Sequence, residues 1–253
     1  MSAEATGSRG WLRRHRGPVG APRLVCFPHA GGGASSYQDW VPSLSARAEV
    51  LVVQYPGRED RFGEPPAATM EALADDIAAA LPLSAERPLV LFGHSMGSTV
   101  AFEVARRIEH SCPGGLARLC VSARPAPHAA PRSRVHLLPD DELVADLRAL
   151  AGTSDTLLDN VDFRALFLPG IRNDYRLIET YRPDPGASIT APVSAFCGAD
   201  DPHVRPEEMR RWSEVTAGSF TLRTYSGGHF YLNDHHSEVV EAVAHHLGAP
   251  VSG

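Results

Sequence analysis

The feature that most restricts what this chain can become is the run from Pro88 to Gly97. Leu89-Val90-Leu91-Phe92 is a short apolar stretch, the pattern of a strand buried on both faces. It passes directly into Gly93-His94-Ser95-Met96-Gly97, a GxSxG motif. A serine in that motif occupies a sharp strand-to-helix turn that lifts its hydroxyl clear of the backbone. Gly93 and Gly97 answer the close approach of strand and helix, where a side chain would collide. Val100, Val104 and Ile108 then recur at helical spacing beside Ala101 and Ala105, which predicts a helix from Met96 to about Glu109. GxSxG alone is short enough to arise by chance. The strand before it and the helix after it are what make Ser95 a candidate nucleophile.

The rest of the chain repeats this alternation. Arg23–Phe27, Glu49–Gln54 and Leu116–Ser122 read as strands, Tyr37–Leu44 and Thr69–Leu81 as helices. Strand and helix in turn predict a mostly parallel sheet covered on both faces. The rhythm breaks between residues 124 and 189. A proline-rich entry, Arg124 to Pro131, leads to helical patterns over Asp140–Leu150, Thr153–Asn160 and Phe163–Leu168, then Pro169–Tyr181 with the proline at its start. Either Asp140 or Asp141 is expected to cap the first of these. This reads as a helical lid insertion over the carboxyl ends of the strands, its Leu and Phe residues lining a channel. Strand patterns return at Thr190–Cys197 and Phe220–Tyr225, followed by helices near Pro206–Glu214 and Asp234–Leu247. The expected organisation is a core of residues 23–123 and 190–248, the insertion at 124–189, and a disordered tail at 1–22. That tail is rich in Gly, Ser, Pro and Arg.

With 253 residues and a formal net charge of -6, the chain suits one large domain and gives no support for nucleic-acid binding. No apolar run is long enough to cross a membrane, and the N-terminus lacks the apolar core of a secretion signal. Cys26, Cys120 and Cys197 lie in strand-like runs and read as reduced core residues, whereas Cys112 lies in a loop. The expected compartment is the cytoplasm. No metal-ligand spacing appears, and no cofactor is expected.

Three candidate catalytic residues lie where strands give way to loops. After Ser95 comes Asp200-Asp201 at the end of one strand, then His229 after Gly227-Gly228 at the end of the next. Ser, then Asp, then His is the α/β-hydrolase order, and the strand ends of a parallel sheet share one edge. Ser95 would attack a carbonyl, His229 would take its proton, and an aspartate would hold the imidazole. Asp201 is favoured because it directly precedes Pro202, where the chain must turn, but Asp200 remains an alternative. Two backbone N–H groups should stabilise the oxyanion. One is Met96, and the other comes from the glycine-rich loop Pro28-His29-Ala30-Gly31-Gly32-Gly33, at Ala30 or Gly31. His29 is expected to order that loop and His94 to pack the wall.

These blocks together resemble a known family. Phe27-Pro28-His29-Ala30-Gly31-Gly32 with Tyr37 and Trp40, Gln54-Tyr55-Pro56-Gly57-Arg58, the GxSxG block, Gly198-Ala199-Asp200-Asp201 and Gly228-His229-Phe230 are similar to the type II thioesterases of polyketide and nonribosomal peptide pathways. The similarity spans about residues 23 to 247. It implies hydrolysis of acyl thioesters from the phosphopantetheine arm of acyl or peptidyl carrier domains, clearing stalled or aberrant groups. It also implies a Ser95, Asp201, His229 triad and a mobile lid at the insertion. Carrier docking would fall to a local basic patch, with Arg132, Arg134, Arg205, Arg210 and Arg211 as candidates. Two other readings use the same sequence: a serine hydrolase of acyl-CoA or small esters, and a non-catalytic binding protein of this fold.

Overall fold

The computed structural model describes residues 10–248. Among them, seven strands form one sheet: β1 (Leu12–His15), β2 (Arg23–Phe27), β3 (Glu49–Val53), β4 (Leu89–His94), β5 (Leu116–Ser122), β6 (Val193–Gly198) and β7 (Phe220–Tyr225). Their order across the sheet is β1, β3, β2, β4, β5, β6, β7. Every pairing is parallel except that of β1 with β3.

Side chains alternate across these strands and fill two separate cores. Val25, Phe27, Leu89, Leu91, Leu119, Val121 and Val193 face one layer, which is completed by α2 (Met70–Ala80) and α3 (Met96–Ser111). Leu24, Cys26, Val90, Phe92, Cys120 and Phe196 face the other, which is closed by α1 (Trp40–Leu44) and the C-terminal helices. Burial on both faces is why these strands read as continuous apolar runs rather than alternating ones. Thr69 caps α2 by accepting the Ala72 N–H at 3.1 Å. All four cysteines are free, and Cys26, Cys120 and Cys197 are buried. Burial pushes the Cys120 thiol up to about 12.

Between β5 and β6 lie α4 (Asp140–Leu150), α5 (Asp155–Asp159) and α6 (Val161–Thr180). They pack a third, small core of Leu143, Val144, Leu147, Leu158, Leu168 and Ile171. Then come α7 (Pro206–Arg210), α8 (Tyr231–Asp234) and α9 (His236–Ala244). Helices therefore lie on both faces of the sheet, with a helical insertion after β5.

Several sequence expectations need correction. The segment read as a structureless tail contains β1, and residues 1–9 of it lie outside the described residues. Antiparallel pairing with β3 and an ion pair from Arg14 to the buried Glu49 hold β1, neither of which leaves an apolar pattern. Pro169 does not start a helix but sits inside α6. A proline there removes one intrahelical donor, and packing of Leu168 and Ile171 into the third core carries the helix through. Residue Pro139, not an aspartate, precedes α4, with Asp140 and Asp141 in its first turn, where their charge still suits the helix dipole. The closing helix is broken into α8, α9 and a terminal 3-10 turn.

Candidate active site

Ser95 sits between β4 and α3 at φ 53° and ψ -120°, a strained conformation for a residue with a side chain. The strain is held from both sides. The Ser95 N–H donates to the Ser122 carbonyl at 2.8 Å, and the buried Ser98 hydroxyl donates to the Gly93 carbonyl at 2.8 Å. A Cβ on Gly93 would lie 2.1 Å from the Gly97 carbonyl oxygen, so only glycine fits. Met96 opens α3, which makes its N–H one of those a helix leaves without an intrahelical acceptor.

His229 follows β7 and Asp201 follows β6, and both are buried. His229 Nδ1 lies 2.7 Å from Asp201 Oδ2. The other carboxylate oxygen of Asp201 accepts the His203 N–H at 2.8 Å. With Nδ1–H donated to the carboxylate, the lone pair is left on Nε2. Ser95 and His229 line one cavity of about 490 Å³. Among the described residues, the Ser95 hydroxyl makes no hydrogen bond to another side chain. The cavity is walled by the glycine-rich loop on one side and by Phe163, Ile171 and Ile178 of α6 on another.

Two further histidines crowd this corner. His94 Nδ1 is 2.9 Å from the Ser122 hydroxyl, and its ring lies against His229 and Phe230. Its Nε2 is buried without a partner among the described residues. The His29 ring meets Phe230 edge-on. Burial, with the nearby His229 and Arg58, pushes His29 down to about 4. Burial and then His229 and His29 push His94 well below its ordinary value. Both rings are therefore neutral near neutral pH.

The glycine-rich loop turns sharply: the Gly32 N–H donates to the His29 carbonyl at 3.0 Å, with Gly31 at φ 78°. A positive φ at the third position is what a type II turn requires. Of the two candidate donors in this loop, Gly31 is already engaged, since its N–H donates to Asp174 Oδ2 at 2.7 Å. The sequence reading missed Asp174. Yet Ile171, Tyr175 and Ile178 mark the apolar face of α6, and an acid set among them was the signal. It also missed Phe230 as the ring that packs His29, His94 and His229 together. Among the described residues, no group of His, Cys, Asp or Glu side chains could hold a metal ion, and no helix is long and apolar enough to cross a membrane.

A mostly parallel sheet, a strained serine between a strand and a helix, and a buried imidazole–carboxylate pair at neighbouring strand ends make this fold that of the α/β hydrolases. The thioesterase-domain family model matches residues 22–248, and the chain belongs to that family. It is 44% identical over 246 residues to thioesterase PikA5 of Streptomyces venezuelae, covering 95% of this chain and 88% of that one. Among solved structures, the type II thioesterase BorB from the borrelidin biosynthetic cluster superposes with a TM-score of 0.84 at 46% identity, covering 96% of this chain and all of that one. YbtT, a type II thioesterase from the yersiniabactin pathway, superposes with a TM-score of 0.85 at 26% identity, covering 96% and 100% of the two chains.

Proposed function

We propose that this thioesterase hydrolyses acyl groups from the phosphopantetheine arm of acyl or peptidyl carrier domains, as an editing enzyme of a polyketide or nonribosomal peptide pathway. The observation that carries this reading is the buried His229–Asp201 pair opening onto the same cavity as Ser95. The pathways named for BorB and YbtT support the substrate class.

In this mechanism the Ser95 oxygen attacks the thioester carbonyl and its proton passes to His229 Nε2. Asp201 favours the imidazolium that results. The Met96 and Ala30 N–H groups face the oxyanion. The C–S bond breaks, the thiolate takes the proton from His229, and the acyl-serine remains. Water then gives a proton to His229 and attacks the ester carbonyl. The C–O bond breaks, Ser95 recovers the proton, and the acid leaves. A cavity walled by apolar side chains discriminates weakly, because one methylene is worth only about 1–3 kcal/mol. That suits removal of varied acyl groups.

The carrier would dock through local positive charge. Arg205, Arg210 and Arg211 pair with Glu208, Glu207 and Glu214 on their own segments. Arg132 and Arg134 are exposed and have no side-chain partner among the described residues, which leaves their charge for an acidic carrier.

The test compares wild type with Ser95→Ala on acyl-carrier proteins, acyl-CoA and simple esters, with fluorophosphonate labelling of Ser95 alongside. Loss of carrier deacylation and of labelling in Ser95→Ala is the expected result. Faster turnover of free acyl-CoA than of the same acyl group on a carrier would favour the general-hydrolase reading. Undiminished turnover in Ser95→Ala would end the account.

A further inference from the structure

The glycine-rich loop has few side chains with which to hold itself, so its shape is imposed from outside. The Ala34 N–H donates to Gln54 Oε1 at 2.8 Å. Both the N–H and hydroxyl of Ser35 donate to Glu59 Oε1, at 3.1 and 2.7 Å. These contacts fix the far end of the loop. The near end, where Ala30 lies, is fixed differently. Arg58 Nη1 donates to the Gly32 carbonyl at 2.8 Å. Its Nη2 meets both oxygens of Asp174, at 2.7 and 2.8 Å, and Asp174 accepts the Gly31 N–H. Arg58 and Asp174 are both buried. Asp174 comes from α6, whose Ile171 presses on the same turn. A Cβ on Gly31 would lie 2.8 Å from Ile171 Cγ1.

We infer that Asp174 and Arg58 are a positioning pair for the reaction: they clamp the turn at Gly31 and Gly32 so that the Ala30 N–H is held toward the oxyanion. This role rests on the serine mechanism proposed above. Type I and type II turns differ mainly in the orientation of the peptide between their two central residues. Here that is the Ala30–Gly31 peptide, which carries the Ala30 carbonyl and the Gly31 N–H; the Ala30 N–H lies on the preceding peptide and is positioned through the same turn. A flip would turn the Ala30 carbonyl toward the Asp174 carboxylate and the Gly31 N–H away from it, so the carboxylate selects one of the two. The Arg58 guanidinium pairs with both oxygens of that carboxylate and ties it to the Gly32 carbonyl of the same loop. Because Asp174 takes the Gly31 N–H, the donor left for substrate at this turn is that of Ala30. The pair also ties α6 to the catalytic geometry through Asp174.

The effect should appear in kcat rather than KM, since an oxyanion forms only after binding. Asp174→Asn, Arg58→Lys and the double variant Arg58→Met with Asp174→Leu are assayed with an acyl N-acetylcysteamine thioester. The double variant removes both buried charges and so avoids leaving one unpaired, which protects folding. It also removes the acceptor for Gly31. In all three, kcat should fall on the order of 10- to 100-fold, the scale of a small misplacement of catalytic groups, with KM little changed. Affinity for a boronic acid, whose tetrahedral adduct on Ser95 mimics the oxyanion, should fall in parallel, while affinity for the product acid should hold. A double variant with wild-type kcat and boronate affinity would overturn the inference. So would a loss of kcat that tracks the fall in melting temperature across the three variants. A Ser95→Ala control that keeps its activity would instead overturn the underlying mechanism, which separates the two failures.

Discussion

Gly97 is pressed against Phe27: a Cβ on Gly97 would lie 2.0 Å from the Phe27 carbonyl oxygen. The first turn of α3 thus rests directly on the end of β2, and this contact fixes how the serine turn and the glycine-rich loop face each other. Gly97→Ala should cost about 3 kcal/mol of stability, the upper end of the usual range for overpacking, because the obstacle is backbone and cannot rotate away. Gly170 is the contrast. It lies inside α6 with nothing within 4 Å of its would-be Cβ, so Gly170→Ala should stabilise by about 1 kcal/mol through helix propensity. Urea unfolding of both variants checks the opposite signs, and a neutral Gly97→Ala would refute the contact's importance.

The two adjacent aspartates after β6 should separate cleanly. Asp201 faces His229, while Asp200 Oδ2 accepts the Gly227 N–H at 3.2 Å and is exposed. Asp201→Asn keeps the shape but favours the wrong imidazole tautomer, and kcat should drop by roughly 10⁴-fold. Asp200→Asn should change turnover by no more than a factor of about two, the scale of surface substitutions. Equal losses in the two variants would contradict the assignment.

Acid should weaken the fold partly through His29. Its folded-state value of about 4 lies below the ordinary 6.5. Between those values the unfolded chain binds more protons, so stability rises with pH across that window and is lost as pH falls through it. His29→Gln removes the titration, and the slope of unfolding free energy against pH should flatten there. Urea titrations at a series of pH values from about 4 to about 7 measure this. An unchanged slope would show that His29 is not held neutral by the fold.

Removing residues 1–17 should expose the edge of β3. Arg14 of β1 pairs with Glu49, a buried carboxylate that Arg23 and Arg87 also reach. Glu49 would keep two of its three cations, while the bare backbone of β3 would become a template for another strand. The truncated chain should melt lower and scatter more light on warming than the intact one. Equal scattering would mean that β1 does not guard this edge.

Much of the sheet was legible because β2, β5 and β7 are apolar or alternating runs with clear ends, and their observed bounds agree with the pattern. The strand β1 was not, since Leu12-Arg13-Arg14-His15 is polar and is held by backbone pairing at the sheet edge. Helix α6 was read as two pieces because a proline ordinarily starts or stops a helix, and only tertiary packing explains its passage through Pro169. The expected site residues Ser95, Asp201 and His229 are brought to one corner. The sequence favoured Ala30 over Gly31 as the loop donor but gave no sign of what engages Gly31. That is a carboxylate more than a hundred residues away, at Asp174, whose contact with Gly31 no local pattern encodes.

The small core beneath α4, α5 and α6 shares no member with the two cores of the sheet. Helix α6 reaches both, with Leu168 and Ile171 in the small core and Leu177 and Ile178 in a core of the sheet, and the substrate chamber lies along that helix. Leu143 and Leu158 back Ile171, which lines that chamber, so trimming either should retune acyl-chain preference without a single change to the sheet.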